Sequence, residues 1–154
     1  MKVIRGDASH LEQIMEIWKG FMEYHQRIDS YYGTVEGGHL KFGEYIRERM
    51  GRSDSLVLAA MDGKDLVGYC LCYVQERPPI FTERTVGILS DLAVKEEHRG
   101  GGAGGALLEE SLGWLRNNGV KRVELRTSAR NHQAIEFYEK HGFWIYDHMM
   151  TREI

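Results

Sequence analysis

Hydrophobic residues recur with helical spacing in the first third of the chain. After a short apolar run over residues 2–5, predicted as a strand, large hydrophobic side chains return every three or four positions: Leu11, Ile14, Met15, Trp18, Phe21 and Met22. This period predicts an amphipathic helix, with Asp7 or Ser9 as its N-cap. Residues 27–38 are predicted as a loop, and a second helix is predicted over residues 39–50.

Apolar runs bounded by turn residues predict strands in most of the remainder. The expected strands cover residues 56–61, 66–74, 86–94, 121–127 and 143–152, and the expected helices cover residues 103–118 and 132–141. The resulting order, β-α-α-β-β-β-α-β-α-β, predicts an α/β protein with a mixed sheet. We expect a single three-layer domain over residues 1–154.

The composition fits a soluble globular protein. The chain has 154 residues, of which 42% are hydrophobic and 28% are charged, and this length suffices to bury a core. A net charge of −3 gives no reason to expect nucleic acid or an anionic membrane as a partner. No apolar run reaches the length of a membrane span, and residues 1–5 lack a signal-peptide core. A cytoplasmic location is therefore expected.

The cysteines and histidines predict neither a disulfide nor a metal site. Cys70 and Cys72 stand two apart in a predicted strand, so both side chains point to one face. Two cysteines are too few for a disulfide scaffold, and reduced, buried thiols are the expectation. The seven histidines show no metal-ligand spacing, so no metal is expected.

A glycine-rich turn between a strand and a helix is the most informative stretch. It consists of Gly100, Gly101, Gly102, Ala103, Gly104 and Gly105. Glycine backbone approaches a ligand closely and reaches positive φ at little cost, and the first N–H groups of the following helix lack internal partners. Together with the helix dipole and the charge of Arg99, these N–H groups predict an anion-binding site, most often for a phosphate.

Other nucleotide motifs fit this turn less well. Gly100, Gly102 and Gly105 match the G-x-G-x-x-G spacing of dinucleotide-binding proteins, and Glu124 lies about 20 residues further on. However, residues 95–99 separate the strand from the glycines, and Glu124 lies inside its strand rather than at its end. No Gly-Lys-Ser/Thr follows, which excludes a nucleoside-triphosphate loop.

A second motif indicates which phosphorylated ligand the turn would bind. Residues 131–143 read Asn-His-Gln-Ala-Ile-Glu-Phe-Tyr-Glu-Lys-His-Gly-Phe. Together with Arg99-x-x-Gly102-x-Gly104 and the preceding strand, this sequence resembles the GNAT superfamily of acyl-CoA-dependent N-acetyltransferases. The resemblance is specific over residues 86–144, whereas residues 1–85 match only in the order of their elements. It implies a GNAT-like fold, with acetyl-CoA as co-substrate.

The resemblance also implies roles for individual residues. The amides of the glycine-rich turn would bind the pyrophosphate of coenzyme A, and the backbones of Leu92, Ala93 and Val94 would hydrogen-bond its pantetheine arm. The N–H of Leu92 would stabilise the oxyanion, and Tyr138 would protonate the departing thiolate. Asn131 either contacts the same arm or acts only as the N-cap of its helix.

The general base is the least determined residue. Some relatives carry a glutamate on the fourth or the fifth strand, where this chain has Ser90 and Arg126. Asp91 is the nearest candidate, either as the base or as a strand or bulge residue bonded to the backbone. A water relay to Asp91, Glu36 or Glu83 is the other option.

The acceptor is expected to be a primary amine of a small molecule or a peptide. The loop that the resemblance places over the acceptor site carries acidic and aromatic residues, which suit a cation: His25, Asp29, Tyr31, Tyr32 and Glu36. Protein N-termini or lysines are the other acceptor class. Direct transfer is the leading hypothesis, and its rival is a non-catalytic acyl-CoA-sensing module.

The last predicted strand, Phe143–Arg152, is expected to present an unpaired sheet edge. Members of the superfamily often form two-fold dimers, and two-fold pairing is the commonest symmetric assembly. The sequence therefore predicts a homodimer through this strand or the neighbouring edge.

Overall fold

Alternating residues between positions 55 and 94 build the centre of a five-stranded sheet. The computed structural model describes residues 1–154. The strands are β1 (Lys2–Arg5), β2 (Ser55–Asp62), β3 (Asp65–Glu76), β4 (Thr85–Val94) and β5 (Val123–Glu124). The helices are α1 (Leu11–Ile28), α2 (Gly38–Met50), α3 (Ala103–Asn117) and α4 (His132–Lys140). None of them is both long and apolar enough to cross a membrane.

The strands lie in chain order across the sheet, β1-β2-β3-β4-β5. The first four pair antiparallel, and β5 runs parallel to β4, because α3 carries the chain back between them as a crossover. The mixed sheet confirms the predicted α/β class.

Helices cover both faces of the sheet and bury two separate clusters of side chains. On one face, Ile14 of α1 and Ile46 of α2 pack with Leu71 of β3. On the other face, Leu107 and Leu115 of α3 pack against the sheet. The two clusters share no residue, so the predicted arrangement of three layers is present.

A β-bulge interrupts β4 at Ser90. Asp91 pairs with Leu71 of β3, but the next β3 residue, Cys72, pairs with Leu89, which leaves Ser90 as the extra residue. A bulge places two residues opposite one. The alternation along β4 therefore changes by one position at the bulge, and with it the set of residues whose N–H groups point away from β3.

The parallel pair of β4 and β5 is short. It is limited to Gly87 opposite Val123 and Ile88 opposite Glu124. Beyond Ile88, β4 continues to Val94 with a β3 partner but no β5 partner. A gap between β4 and β5 therefore opens toward the glycine-rich turn.

The predicted last strand is not formed, which corrects the expected element order at its end. Residues 143–154 form no helix or strand, and β5 covers two residues where residues 121–127 were predicted. An extended segment pairs its backbone groups only beside another strand, and β5 offers too short an edge for this. The segment leaves large apolar side chains exposed, among them Trp144 at 74% and Met150 at 93%.

Candidate active site

The glycine-rich turn ends in a helix N-terminus whose N–H groups are available. Gly102 is the N-cap of α3 with a φ of 86°, and no side chain caps the helix. The first backbone bond of α3 runs from the N–H of Ala106 to the carbonyl of Gly102, at 3.0 Å. The N–H groups that precede Ala106 therefore point out of the helix end. A Cβ added at Gly100 or Gly102 would meet open space, so the concave side of the turn is free.

Arg99 lies along the open edge of β4. Its Nε donates to the carbonyl oxygen of Val94 at 3.2 Å, and its guanidinium carbon lies 5.7 Å from the centre of the Tyr24 ring. The side chain thus brings a positive charge to the gap beside the turn.

The backbone of β4 alternates between β3 and the gap. The N–H of Lys95 donates to the carbonyl of Val67 at 2.9 Å, so alternation in an antiparallel pair makes Ala93 and Tyr69 a hydrogen-bonded pair. Leu92 and Val94 consequently turn their backbone groups toward the gap. Arg99 already donates to the carbonyl of Val94. The backbone groups of Leu92 are therefore the freer of the two pairs. Ala93, predicted with them as a backbone ligand, faces β3 instead.

Asn131 joins α4 to α1 across the gap. It is the N-cap of α4, and its Oδ1 accepts from the N–H of Ala134 at 3.2 Å. The same oxygen accepts from the hydroxyl of Tyr24 at 3.3 Å, and Asn131 is 5% exposed. The capping role is therefore present. Tyr24 was missed because, in an amphipathic helix, it cannot be told from a packing residue.

Tyr138 lies on α4 against the α3 face of the sheet. Its ring meets those of Phe137 and Phe143 edge-on, with centroids 5.2 and 5.5 Å away. Burial raises the pKa of its phenol well above the usual value, with smaller contributions from Cys70 and Asp91. The hydroxyl therefore stays protonated at ordinary pH and remains able to donate a proton.

Asp91 lies on the opposite face, beside the bulge. Burial raises the pKa of its carboxyl to about 6, although a hydrogen bond from Ser90 and the nearby His25 lower it in part. The Ser90 hydroxyl donates to Oδ2 at 3.0 Å. A carboxyl with this pKa takes up and releases a proton near neutral pH, as a general base requires.

The residues predicted for the acceptor site separate in the structure. His25 packs edge-on to Tyr32, with ring centres 5.6 Å apart. Asp29 accepts from the N–H of Tyr31 at 3.0 Å and thereby caps a short 3-10 helix. Tyr31 is 93% exposed, and Glu36 is exposed as well. Only His25 lies near enough to Asp91 for its charge to lower that carboxyl's pKa.

Glu83 and the two cysteines lie outside the gap between β4 and β5. Glu83 pairs with Lys121 at 3.0 Å on the surface. Cys70 and Cys72 are buried, unbridged and packed in the same cluster on the α3 face. Burial raises both thiol pKa values, that of Cys72 to about 11, so neither is a reactive thiolate. No three His, Cys, Asp or Glu side chains are grouped to hold a metal ion.

Comparisons with known proteins place this geometry in a family. Residues 11–143 match the model of the Acetyltransferase (GNAT) family. The uncharacterized N-acetyltransferase YhfO of Bacillus subtilis (strain 168) is 24% identical to this chain over 146 residues, which cover 93% of this chain and 89% of YhfO. The chain therefore belongs to the GNAT acetyltransferase family, which confirms the resemblance seen in its motifs.

Solved structures share the fold. A tetramutant of the BH1408 protein from Bacillus halodurans has a TM-score of 0.90 at 20% identity, with 100% of both chains covered. AAC(6')-Iy in complex with the bisubstrate analog CoA-S-monomethyl-acetylneamine has a TM-score of 0.75 at 17% identity, with 99% of this chain and 97% of that chain covered. At these identities the likeness establishes the architecture.

Proposed function

We propose that this chain is an N-acetyltransferase that moves an acetyl group directly from acetyl-CoA to a primary amine of a small molecule or a peptide. One observation carries the proposal: the uncapped N-terminus of α3 and the free backbone edge of β4 border the same gap. The first suits a pyrophosphate, and the second suits an arm with amide groups, which pairs as a strand does. Coenzyme A carries both.

Binding is assigned to backbone groups and two side chains. The amides from Gly100 to Gly105, Ala103 included, hold the pyrophosphate, and Arg99 adds its charge. Leu92 and Val94 pair with the pantetheine arm, and Asn131 borders the same gap through its contact with Tyr24. The AAC(6')-Iy complex, in which the shared fold holds a CoA-based analog, supports this arrangement.

Catalysis is assigned to groups around the end of β4. Acetyl-CoA supplies an activated acyl group. The N–H of Leu92 donates to the carbonyl oxygen that gains negative charge when the amine attacks, which stabilises the transition state. Asp91 accepts the proton of the amine, and Tyr138 donates its phenolic proton to the sulfur of the leaving thiolate. Buried cysteines with raised pKa values argue against an acyl-cysteine route.

A cationic amine fits the Asp91 side of the sheet. The half-buried carboxylate lies near His25, which packs with the rings of Phe21 and Tyr32 at 4.1 and 5.6 Å. An acidic group among aromatic rings favours an ammonium group. We therefore propose Asp91, His25 and Tyr32 as the acceptor side of the site. Asp29, which is engaged as a cap, and the exposed Tyr31 and Glu36 are less central.

A thiol-release assay over a panel of amines tests this function against the acyl-CoA sensor. The panel should contain small amines, polyamines, amino-acid amides, and peptides with free N-termini or lysines. We expect turnover with at least one small amine or peptide, together with binding of acetyl-CoA in calorimetry. Binding without turnover on every amine would favour the sensor. Turnover on peptides alone would assign the chain to the protein acetyltransferases.

We also propose a homodimer that covers the apolar C-terminal segment, residues 143–154. Its exposed Tyr146 lies next to the short strand β5, because Arg122, the residue before β5, stacks on the Tyr146 ring at 3.7 Å. Light scattering at micromolar concentration should give twice the 17.8 kDa chain mass. Met149→Lys should lower this mass, whereas Ile80→Lys, at an exposed apolar residue elsewhere, should leave it unchanged. A species of single-chain mass in the unmodified protein would contradict the dimer.

A further inference from the structure

The hydroxyl of Tyr69 is a buried polar group without a partner. Tyr69 lies in the middle of β3 and is 0% exposed. It is the chain's one buried side-chain oxygen or nitrogen that makes no hydrogen bond. Buried hydroxyls are nearly always satisfied, because an unpaired one has lost its hydration without replacement. A phenylalanine would fill the same space without this cost, so the hydroxyl calls for an explanation.

The position of Tyr69 in the sheet directs attention to Asp91. Tyr69 pairs with Ala93 and Leu71 pairs with Asp91, so Tyr69 and Asp91 are diagonal neighbours on one face of an antiparallel pair. Side chains as long as tyrosine reach across such a diagonal. The charge of Asp91 also raises the pKa of the Tyr69 phenol, after the larger effect of burial, which places the two groups within electrostatic range.

The needs of the two groups are complementary. The Asp91 carboxylate has acceptor capacity for several hydrogen bonds, but within the chain it accepts one from the Ser90 hydroxyl. Tyr69 has a donor without an acceptor. A hydrogen bond between the two oxygens, direct or through one water, would satisfy the Tyr69 donor and use a free acceptor position of Asp91. The ring of Tyr69 is fixed meanwhile by Phe42 of α2, whose centroid lies 6.1 Å away.

We propose that Tyr69 is a positioning residue for acetyl transfer, whose hydroxyl donates a hydrogen bond to Asp91 and holds that carboxylate ready to take the amine proton. This inference rests on the proposed function. In the step concerned, the N–H bond of the ammonium group breaks, its electron pair stays on nitrogen, and the proton passes to Asp91. The neutral amine then attacks, and Tyr69 keeps its own proton throughout.

Several titratable side chains surround the Asp91 carboxyl. Electrostatic contacts reach it from α1, from β3 and from α4: His25, Tyr69, Cys70, Tyr73 and Tyr138. Several titratable groups therefore lie within electrostatic range of this one carboxyl. A readout that observes the Asp91 carboxyl carbon itself is therefore required, besides a pH profile of activity.

The test is Tyr69→Phe, with Tyr45→Phe as the matched control. Tyr45 lies in the α2 layer on the same face, and its hydroxyl already has a partner, since it accepts from Nε of Arg49 at 3.2 Å. Carbon-13 NMR of labelled aspartate, with Asp91→Asn to assign the signal, gives the carboxyl pKa. A hydrogen bond to the charged form lowers a carboxyl pKa. We therefore expect Asp91 to titrate at least about half a unit higher in Tyr69→Phe than in the unmodified protein and in Tyr45→Phe.

Activity and stability complete the test. The acid limb of kcat/KM should move to higher pH in Tyr69→Phe by the same amount as the NMR titration. The melting temperature should change little, because the variant keeps the buried ring and removes one hydrogen bond. An unchanged Asp91 titration, or a lower melting temperature without a moved limb, would overturn the proposal. If no amine is turned over but the NMR shift is present, the proposed function fails while the link between Tyr69 and Asp91 stands.

Discussion

Replacing Gly102 by valine is expected to remove most of the affinity for coenzyme A while leaving a folded protein. The N–H groups at the start of α3 have no internal partner, and in the proposed complex a pyrophosphate reaches them over the bare backbone of the turn. A hydrogen bond to a charged group contributes about 1.5–3 kcal/mol. The loss of two therefore weakens binding by roughly 100-fold or more, which calorimetry measures.

A control must separate two effects of the valine: backbone strain at a positive φ, and obstruction of the pyrophosphate. Gly102 has a φ of 86° and Gly119 a φ of 77°, and both have open space where a Cβ would stand. They lie at opposite ends of α3, so Gly119→Val is a matched control. Each valine should lower the melting temperature by a similar amount, since both adopt a conformation that β-branched residues avoid. Unaltered CoA binding by folded Gly102→Val would remove the turn from the binding site.

Periodic patterns predicted most of the fold. The helical spacing of Ile14 and its neighbours marks the face of α1 that is buried, and the continuous apolar run around Cys70, bounded by turn residues, marks β3. These patterns work because burial selects the same residue types wherever a helix or strand covers a core. The segment after Gly142 was predicted as a strand from its apolar content. It forms none, since strand formation depends on a neighbouring edge that local sequence does not report.

The local geometry of the candidate site was predictable where a single segment builds it. The glycines, Arg99 and the Asn131 cap act through local geometry, so their spacing in sequence is informative. The bulge at Ser90 is different, because it arises from the register of β4 against β3 and decides that Leu92 rather than Ala93 faces the gap. The pair of Tyr24 and Asn131 joins positions 107 residues apart, which no local pattern can indicate.

In the loop predicted to lie over the acceptor site, residue type alone does not distinguish two roles. Aspartate is favoured both for binding cations and for capping short helices, and Asp29 is a cap. Tyr69 lies in a strand that is predicted from its apolar residues. It became a candidate positioning residue only because the fold buries its hydroxyl without a hydrogen-bond partner. The pKa of Asp91 likewise depends on how deeply the fold buries it, which is a tertiary property.

Removal of the Tyr138 hydroxyl is expected to lower kcat by ~10²–10⁴-fold, the usual contribution of a general acid. Phenylalanine keeps the edge-on contacts with Phe137 and Phe143, so packing is preserved. The affinity for coenzyme A should change little, because in the proposed mechanism the proton moves to sulfur only as the carbon–sulfur bond breaks. Since the phenol pKa is raised well above its usual value, the unmodified protein should show no loss of kcat from this group up to pH 10, the ordinary pKa of a tyrosine phenol.

Stopped-flow or single-turnover measurement of thiol release is the appropriate readout for Tyr138→Phe, since slow product release would mask a chemical defect. Tyr45→Phe, whose phenol lies in the opposite layer with Arg49, serves as the control and should keep its kcat. An undiminished chemical step in Tyr138→Phe would remove Tyr138 from the mechanism. An equal loss in kcat and in CoA affinity would instead assign the hydroxyl to cofactor binding, since an interaction made only in the transition state leaves ground-state affinity unchanged.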